Sequence, residues 1–204
     1  MANAEPGQPG TATRILDVAE RLVQVRGYNG FSYADVADEL KMTKAALHYH
    51  FASKAELGEA LIERYSLRFF EALAAVEERT PDAPLRLHGY AGLYAQVLRD
   101  HRMCLCGMMV ADYETLSPPM QDAVVRYIQD NRQWLSGVLS QGRDVGTLVF
   151  DGSPGDVASM IFGALEGAML IARLQGDVSG FESSVERLLA SLLPLARSSA
   201  RSAS

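Results

Sequence analysis

The chain has 204 residues, of which 48% are hydrophobic and 22% charged, a balance that suits a buried core and excludes a disordered or fibrous chain. Its formal net charge of -6 excludes a general polyanion binder, whose affinity comes from many cationic phosphate contacts. The charge is unevenly spread: residues 1–57 carry six Lys/Arg and seven Asp/Glu, so the excess acid lies beyond residue 57.

The opening MANAEPGQPG has neither a basic region nor an apolar run, so residues 1–10 read as a frayed arm and not as a secretory signal. Helical periodicity follows almost end to end, with no sustained strand alternation, and the class is all-α with about nine helices. The first helix is predicted over Thr11–Arg26, with an apolar stripe of Ile15, Val18, Ala19, Leu22 and Val23, and Gly27 ends it. Ser32 and Asp35 have capping-box spacing and open a short second helix, Tyr33–Leu40. Thr43 caps a third, Lys44–His50, and Ser53 with Glu56 opens a long fourth helix reaching Arg79.

The segment TPDAP at 80–84 interrupts the pattern, and a fifth helix is predicted over Leu85–Arg99. A sixth spans Met103–Thr115. Ser117, Pro118 and Pro119 start a seventh that runs to Gln141, with Gly142 and Gly146 in the loop after it. Ser153, Pro154 and Asp156 start an eighth that extends to Leu174, and Ser179 with Glu182 caps a ninth. The apolar stretch Ile161–Leu174 is interrupted by Glu166 and Arg173 and falls short of the roughly 20 residues of a membrane span, so no membrane association is expected. The final residues, 198–204, carry no apolar face and read as a frayed tail.

The region 31–57 holds the strongest functional signal. All three lysines, Lys41, Lys44 and Lys54, lie within it. Two short helices joined by a tight turn form a helix-turn-helix if small and apolar residues sit between them, and Val36, Ala37, Leu40, Met42 and Leu47 supply that inner face. The exposed reading face is then Thr43, Lys44, Ala45 and His48, where small Ala45 permits close approach to bases. Phe51 is a core anchor between the third and fourth helices. These helices could also pack in an all-helical enzyme or scaffold without meeting DNA.

Several elements occur in register: Gly27 to Ser32, Val36-Ala37, the LHYHF run at 47–51, and Ser53-Lys54 followed by Leu57. Together they resemble the TetR family of bacterial repressors over residues 12–57. The resemblance implies that Ser32, Tyr49, His50 and Lys54 contact the phosphate backbone, while Thr43, Lys44, Ala45 and His48 face base edges or flanking phosphates. Ser32 and Lys54 lie at predicted helix N-termini, which favour an anion independently of the resemblance. Lys41 stands where the family often has glycine in the turn, and Ala45 and His48 replace a common glycine and tyrosine, so no operator sequence carries over.

The resemblance also implies a domain at 11–57 for DNA, and one at 58–197 for an effector and for dimerisation. In it the fifth to seventh helices surround a cavity and the eighth and ninth pair with those of a second copy. The eighth offers Met160, Ile161, Gly163, Ala164, Gly167, Ala168 and Ile171, and the ninth Phe181, Val185, Leu188, Leu189, Leu192 and Leu193. These stripes could equally be protomer core. Candidate pocket residues are Phe69, Leu73, Tyr90, Tyr94, Met103, Cys104, Met108, Tyr113, Trp134, Phe162, Glu166 and Met169, each of which could instead be core, and their character suits a small apolar or aromatic effector.

Cys104, beside His101 and Arg102 at a predicted helix N-terminus, sits where a thiolate is favoured, and a redox or electrophile sensor is the alternative input. Cys104 and Cys106 read equally as small buried hydrophobes. A metal site from His101, Cys104 and Cys106 would need a fourth ligand from elsewhere, and no metal or cofactor is expected. No catalytic motif occurs, so an enzyme is not expected, and a protein-binding helical adaptor is the other remote reading. The composite expectation is a cytoplasmic, homodimeric repressor released from a palindromic operator by a small molecule.

Overall fold

The computed structural model describes residues 10–194. The arm read over 1–10, apart from Gly10, and the tail over 198–204 lie outside the described residues. Among those described are nine α-helices and no strand: α1 (Thr11–Arg26), α2 (Tyr33–Leu40), α3 (Lys44–His50), α4 (Lys54–Arg79), α5 (Ala83–Arg99), α6 (Leu105–Ala111), a 3₁₀ turn (Tyr113–Thr115), α7 (Pro118–Asp144), α8 (Pro154–Gln175) and α9 (Val178–Ala190).

The first three helices follow local signals closely. The Ser32 hydroxyl accepts from the Asp35 amide at 3.4 Å and the Asp35 carboxylate accepts from the Ser32 amide at 2.8 Å, the complete reciprocal box. Thr43 accepts from the Ala46 amide at 3.1 Å. At α4 the box is displaced by one residue: Ser53 accepts from the Glu56 amide, while the Glu56 carboxylate takes the amide of Ala52 at 2.9 Å.

Four readings need correction. Helix α5 begins two residues early, because the Asp82 carboxylate accepts from the Leu85 amide at 2.9 Å and Pro84 fits the first turn, where no amide is needed. Helix α6 covers only Leu105–Ala111: Cys104 caps it, and Asp112 ends it before the 3₁₀ turn. Helix α7 runs through Gly142 to Asp144, and a Cβ at Gly142 would come within 2.5 Å of Leu148 and 2.8 Å of Ala83. That glycine serves close packing, and Gly146, at φ +75°, makes the turn. Helix α9 is capped by Asp177, which accepts from the Ser179 amide at 2.9 Å, so Ser179 and Glu182 do not form the box. Helix α8 matches the predicted eighth helix to within one residue. An 18-residue stretch of it has a mean hydropathy of 1.6, so it is long and apolar enough to cross a membrane by length and composition alone, as the core helix of a soluble protein also can be.

The chain groups into two compact units, one formed by residues up to Ala72 with Gln96–Asp130, the other by Leu73–Ala95 with residues from Asn131 onward. The core of the first gathers Ile15, Ala19, Leu22, Val23, Val36, Ala37, Leu47, Phe51, Leu57 and Leu61. A charged knot lies beside it: Glu20, nearly buried, accepts from Arg64 at 2.8 Å and Arg68 at 2.5 Å, joining α1 to α4. In the second unit α8 buries Val157, Ile161, Leu165 and Met169, and α9 buries Phe181, Val185 and Leu189. The opposite face of α8, Met160, Leu170, Ile171 and Leu174, is exposed.

Candidate nucleic-acid interface

Helices α2 and α3 are joined by a turn in which Lys41 takes a left-handed conformation, φ 53° and ψ 46°. Its amide binds Ala37 and Asp38 carbonyls, and the Met42 amide reaches Ala37 O at 2.9 Å. Leu47 is fully buried against this turn and the inner helices, while Leu40 and Met42 are half-buried, so the opposite face of α3 points outward. Thr43, Lys44, Ala45, His48 and Tyr49 are exposed, Tyr49 at 87%.

Several of these side chains are pre-oriented. The His48 Nδ1–H donates to Ala52 O at 3.1 Å, leaving Nε2 toward solvent, and its ring lies 4.7 Å from that of Tyr33. Tyr33 donates its hydroxyl to Phe51 O at 2.9 Å, and burial, then the nearby Glu56 charge, pushes its pKa up to about 12. It stays protonated and holds the α2–α3 geometry. Tyr49 meets His50 edge to face at 5.4 Å.

A depression of about 400 Å³ brings together four of the eight sequence-predicted contacts, Ser32, Lys44, His48 and Lys54, with Phe31, Tyr33 and Ala34. Thr43, Ala45, Tyr49 and His50 lie outside it along α3. Lys54 is more engaged with the protein than its motif implies. Its Nζ donates to Phe31 O at 2.7 Å and sits 4.5 Å above both the Tyr28 and Phe31 rings. Desolvation lowers its pKa, against the opposing pull of the Asp112 and Asp35 charges. The ammonium has three donors, so this bond leaves two.

Ser32 is similarly committed: its hydroxyl donates to Asp35 at 2.6 Å. At the α2 N-terminus the first helical amides, of Tyr33 and Ala34, remain for an anion. Asp35, which would repel one, is paired with Arg26 at 3.1 Å.

Behind this surface, sequence reasoning missed a seam between α1 and the α6 region. The Asn29 amide and side chain donate to the two Asp112 carboxylate oxygens at 3.1 and 3.0 Å, and Asn29 Nδ2 also reaches Thr115 Oγ1 at 2.9 Å. The Met103 amide donates to Gln24 O at 3.1 Å. Gly27, at φ +83°, has Asp112 Oδ2 only 3.0 Å from where a Cβ would stand, so the seam needs glycine there.

The expected pocket residues divide between the units. In the first, Phe69, Met103 and Cys104 are buried, with Met108 and Tyr113 half-buried, and Cys104 Sγ lies 4.0 Å from the Tyr127 hydroxyl. In the second, Leu73, Tyr90, Tyr94 and Met169 are buried, with Trp134, Phe162 and Glu166 half-buried. Tyr90 donates to Asn131 Oδ1 at 3.0 Å, lies 3.0 Å from the Tyr94 hydroxyl and stacks on Trp134 at 5.5 Å. Both cysteines are buried, and among the described residues no group of His, Cys, Asp and Glu is placed to hold a metal ion.

The pattern of bacterial regulatory proteins of the tetR family matches residues 15–61, and that of the Tetracyclin repressor-like C-terminal domain matches residues 85–188. The HTH-type transcriptional repressor NemR of Escherichia coli is 26% identical over 185 residues, 86% of this chain and 90% of that protein. A TetR-family transcriptional regulator from Agrobacterium tumefaciens superposes with a TM-score of 0.87 at 29% identity, covering 90% of this chain and 97% of that one. A TetR regulator from Legionella pneumophila gives 0.82 at 29% identity, covering 91% and 99%. With the exposed α3 face and a second match spanning half its length, this chain belongs to the tetR family of bacterial regulatory proteins, DNA-binding transcriptional regulators and not enzymes.

Proposed function

We propose that the protein is a cytoplasmic homodimeric repressor that binds a palindromic operator through α3 and is released when an effector occupies the helices behind the 11–57 head. The observation that carries this reading is the outward face of α3, where Lys44, His48 and Tyr49 are exposed beside the depression holding Ser32 and Lys54. Lys54, Ser32, Tyr49 and His50 position the phosphate backbone; Thr43, Lys44, Ala45 and His48 read bases or flanking phosphates. Dimerisation uses the bare apolar face of α8, where Gly163 and Gly167 have no neighbour within 4 Å of a Cβ. The stripe of α9 is largely spent on its own core, so α9 serves as a flank. Selection from random DNA by the full chain should return a palindrome with half-sites about one helical turn apart. Recovery of no repeated half-site counts against the reading.

One observation favours a second input. Cys104 caps α6, its Sγ accepting from the Gly107 amide at 3.4 Å, and the neighbouring Met103 is tied to α1. Modification of that sulfur would therefore disturb a helix fastened to the head. Cys104 is only 1% exposed, which ranks this input second. Alkylation with a maleimide that leaves operator affinity unchanged would dispose of it.

A further inference from the structure

A cleft between α4 and α7 in the first unit has no part in the reading above. It encloses about 590 Å³, within the roughly 300–1,000 Å³ usual for a small-ligand site. None of its residues belongs to the pocket expected from the sequence. Phe70 gives the cleft an aromatic wall, backed by the buried Ile62 and Tyr127, the Phe70 and Tyr127 rings lying 6.0 Å apart at 61°. Leu67 lines the cleft while 61% exposed, an apolar side chain with its face toward the opening.

The polar lining is lopsided. Glu59, Glu63 and Asp130 stand against one cation, Arg126. Glu63 and Asp130 form no ion pair among the described residues, and Glu59 receives only the Ser117 hydroxyl at 3.3 Å. An anion is disfavoured by this excess of carboxylate. A bare metal ion is also disfavoured, because no set of carboxylates there is close enough to coordinate one. A ligand that meets both the aromatic wall and the acidic rim carries a positive charge on an apolar body.

We infer that the α4–α7 cleft binds an organic cation, an alkyl- or aryl-ammonium, with its hydrocarbon against Phe70 and Leu67 and its charge toward Glu63 and Asp130. As an effector site it rests on the repressor reading above, and the structure supplies two links to the head. Helix α4 carries Arg64 and Arg68, which hold Glu20 of α1. Tyr127 lies beside Cys104, at the cap of α6, and the adjacent Met103 amide is bonded to Gln24 of α1. A ligand that spreads or draws together α4 and α7 acts on both links.

Binding is measured calorimetrically on the full chain without DNA, with benzyltriethylammonium as probe and benzyl alcohol and benzoate as neutral and anionic controls. The ammonium should bind more tightly than either control, and the exposed pair Glu63→Gln with Asp130→Asn should weaken it about fivefold. Phe70→Leu tests the wall separately and should also weaken it. Equal binding of benzyl alcohol, or an unchanged affinity in the carboxylate variant with its thermal unfolding preserved, overturns the cation site. Operator affinity with and without the ammonium is measured in parallel. Ammonium binding with no change in operator affinity supports the site and overturns its role as the effector site.

Discussion

Lys54 shows how a single cation serves the fold and the surface together. Its bond to Phe31 O and its seat above two rings fasten the start of α4 to the connection between α1 and α2. Removing it should therefore cost stability as well as the proposed phosphate contact, and His48 and Lys44 are cleaner probes of the proposed base reading. Ser32 and Asp35 offer a test by pH. The Ser32 hydroxyl, then the Ser32 amide and Arg26, hold the Asp35 carboxyl below its ordinary range. A carboxyl depressed in the folded state contributes stability above its unfolded pKa, and that contribution is lost as pH falls through the folded value. Ser32→Ala should move Asp35 back toward the ordinary range of about 4, seen in a carboxyl NMR titration, and flatten the loss of stability at acid pH. An unmoved titration would mean that the hydroxyl bond does not set the ionisation. Lys41 gives the opposite case, a side chain where the backbone favours glycine. Lys41→Gly should raise stability by about 0.5–1 kcal/mol in thermal unfolding, and a loss of stability would show that the lysine side chain has a compensating contact.

At the scale of elements, local chemistry explains what was readable. Ser32-Asp35, Thr43 and Ser153-Asp156 each satisfy helix-end amides with side chains a few residues away, so α2, α3 and the start of α8 were legible from spacing alone. Helix α6 was not, because its end is set at a distance. Asp112 is turned out of a helical run by Asn29, 83 residues earlier, and no periodicity carries that signal. The buried Glu20 had a faint one: Glu20 and Gln24 on the inner face of α1 are four apart, as are Arg64 and Arg68 on α4. The exposed face of α3 was legible because its residues are contiguous, whereas the α4–α7 cleft joins two helices far apart in sequence. The seam itself is testable. Asn29→Ala removes the two side-chain hydrogen bonds, keeps the backbone amide bond to Asp112, and should cost about 1–2 kcal/mol, with faster amide hydrogen exchange at the end of α1 and in α6. Unchanged protection in both segments would show that the seam does not couple them.

For the whole molecule, the proposed function ties the uncovered face of α8 to the exposed face of α3. A single α3 contacts one half-site, and a two-fold dimer doubles the contact while fixing a spacing of roughly 34–36 Å. Ile171 is 55% exposed on that face and Leu174 83%. Ile171→Glu should shift the chain to monomer in sedimentation and lower operator affinity, with the helical signal unchanged, whereas a dimer that persists would place the interface elsewhere. The proposed effector control is linkage between two sites, about 1–3 kcal/mol of coupling being typical. The most direct test of the account is fluorescence anisotropy of the full chain, its Lys44→Ala variant and its His48→Ala variant on the selected palindrome and on a scrambled duplex, across a range of salt. The account predicts that the parent chain prefers the palindrome, that its affinity falls linearly with log salt, and that the variants lose more on the palindrome than on the scrambled duplex. Equal losses on both duplexes, or no preference by the parent chain, would contradict base reading by α3.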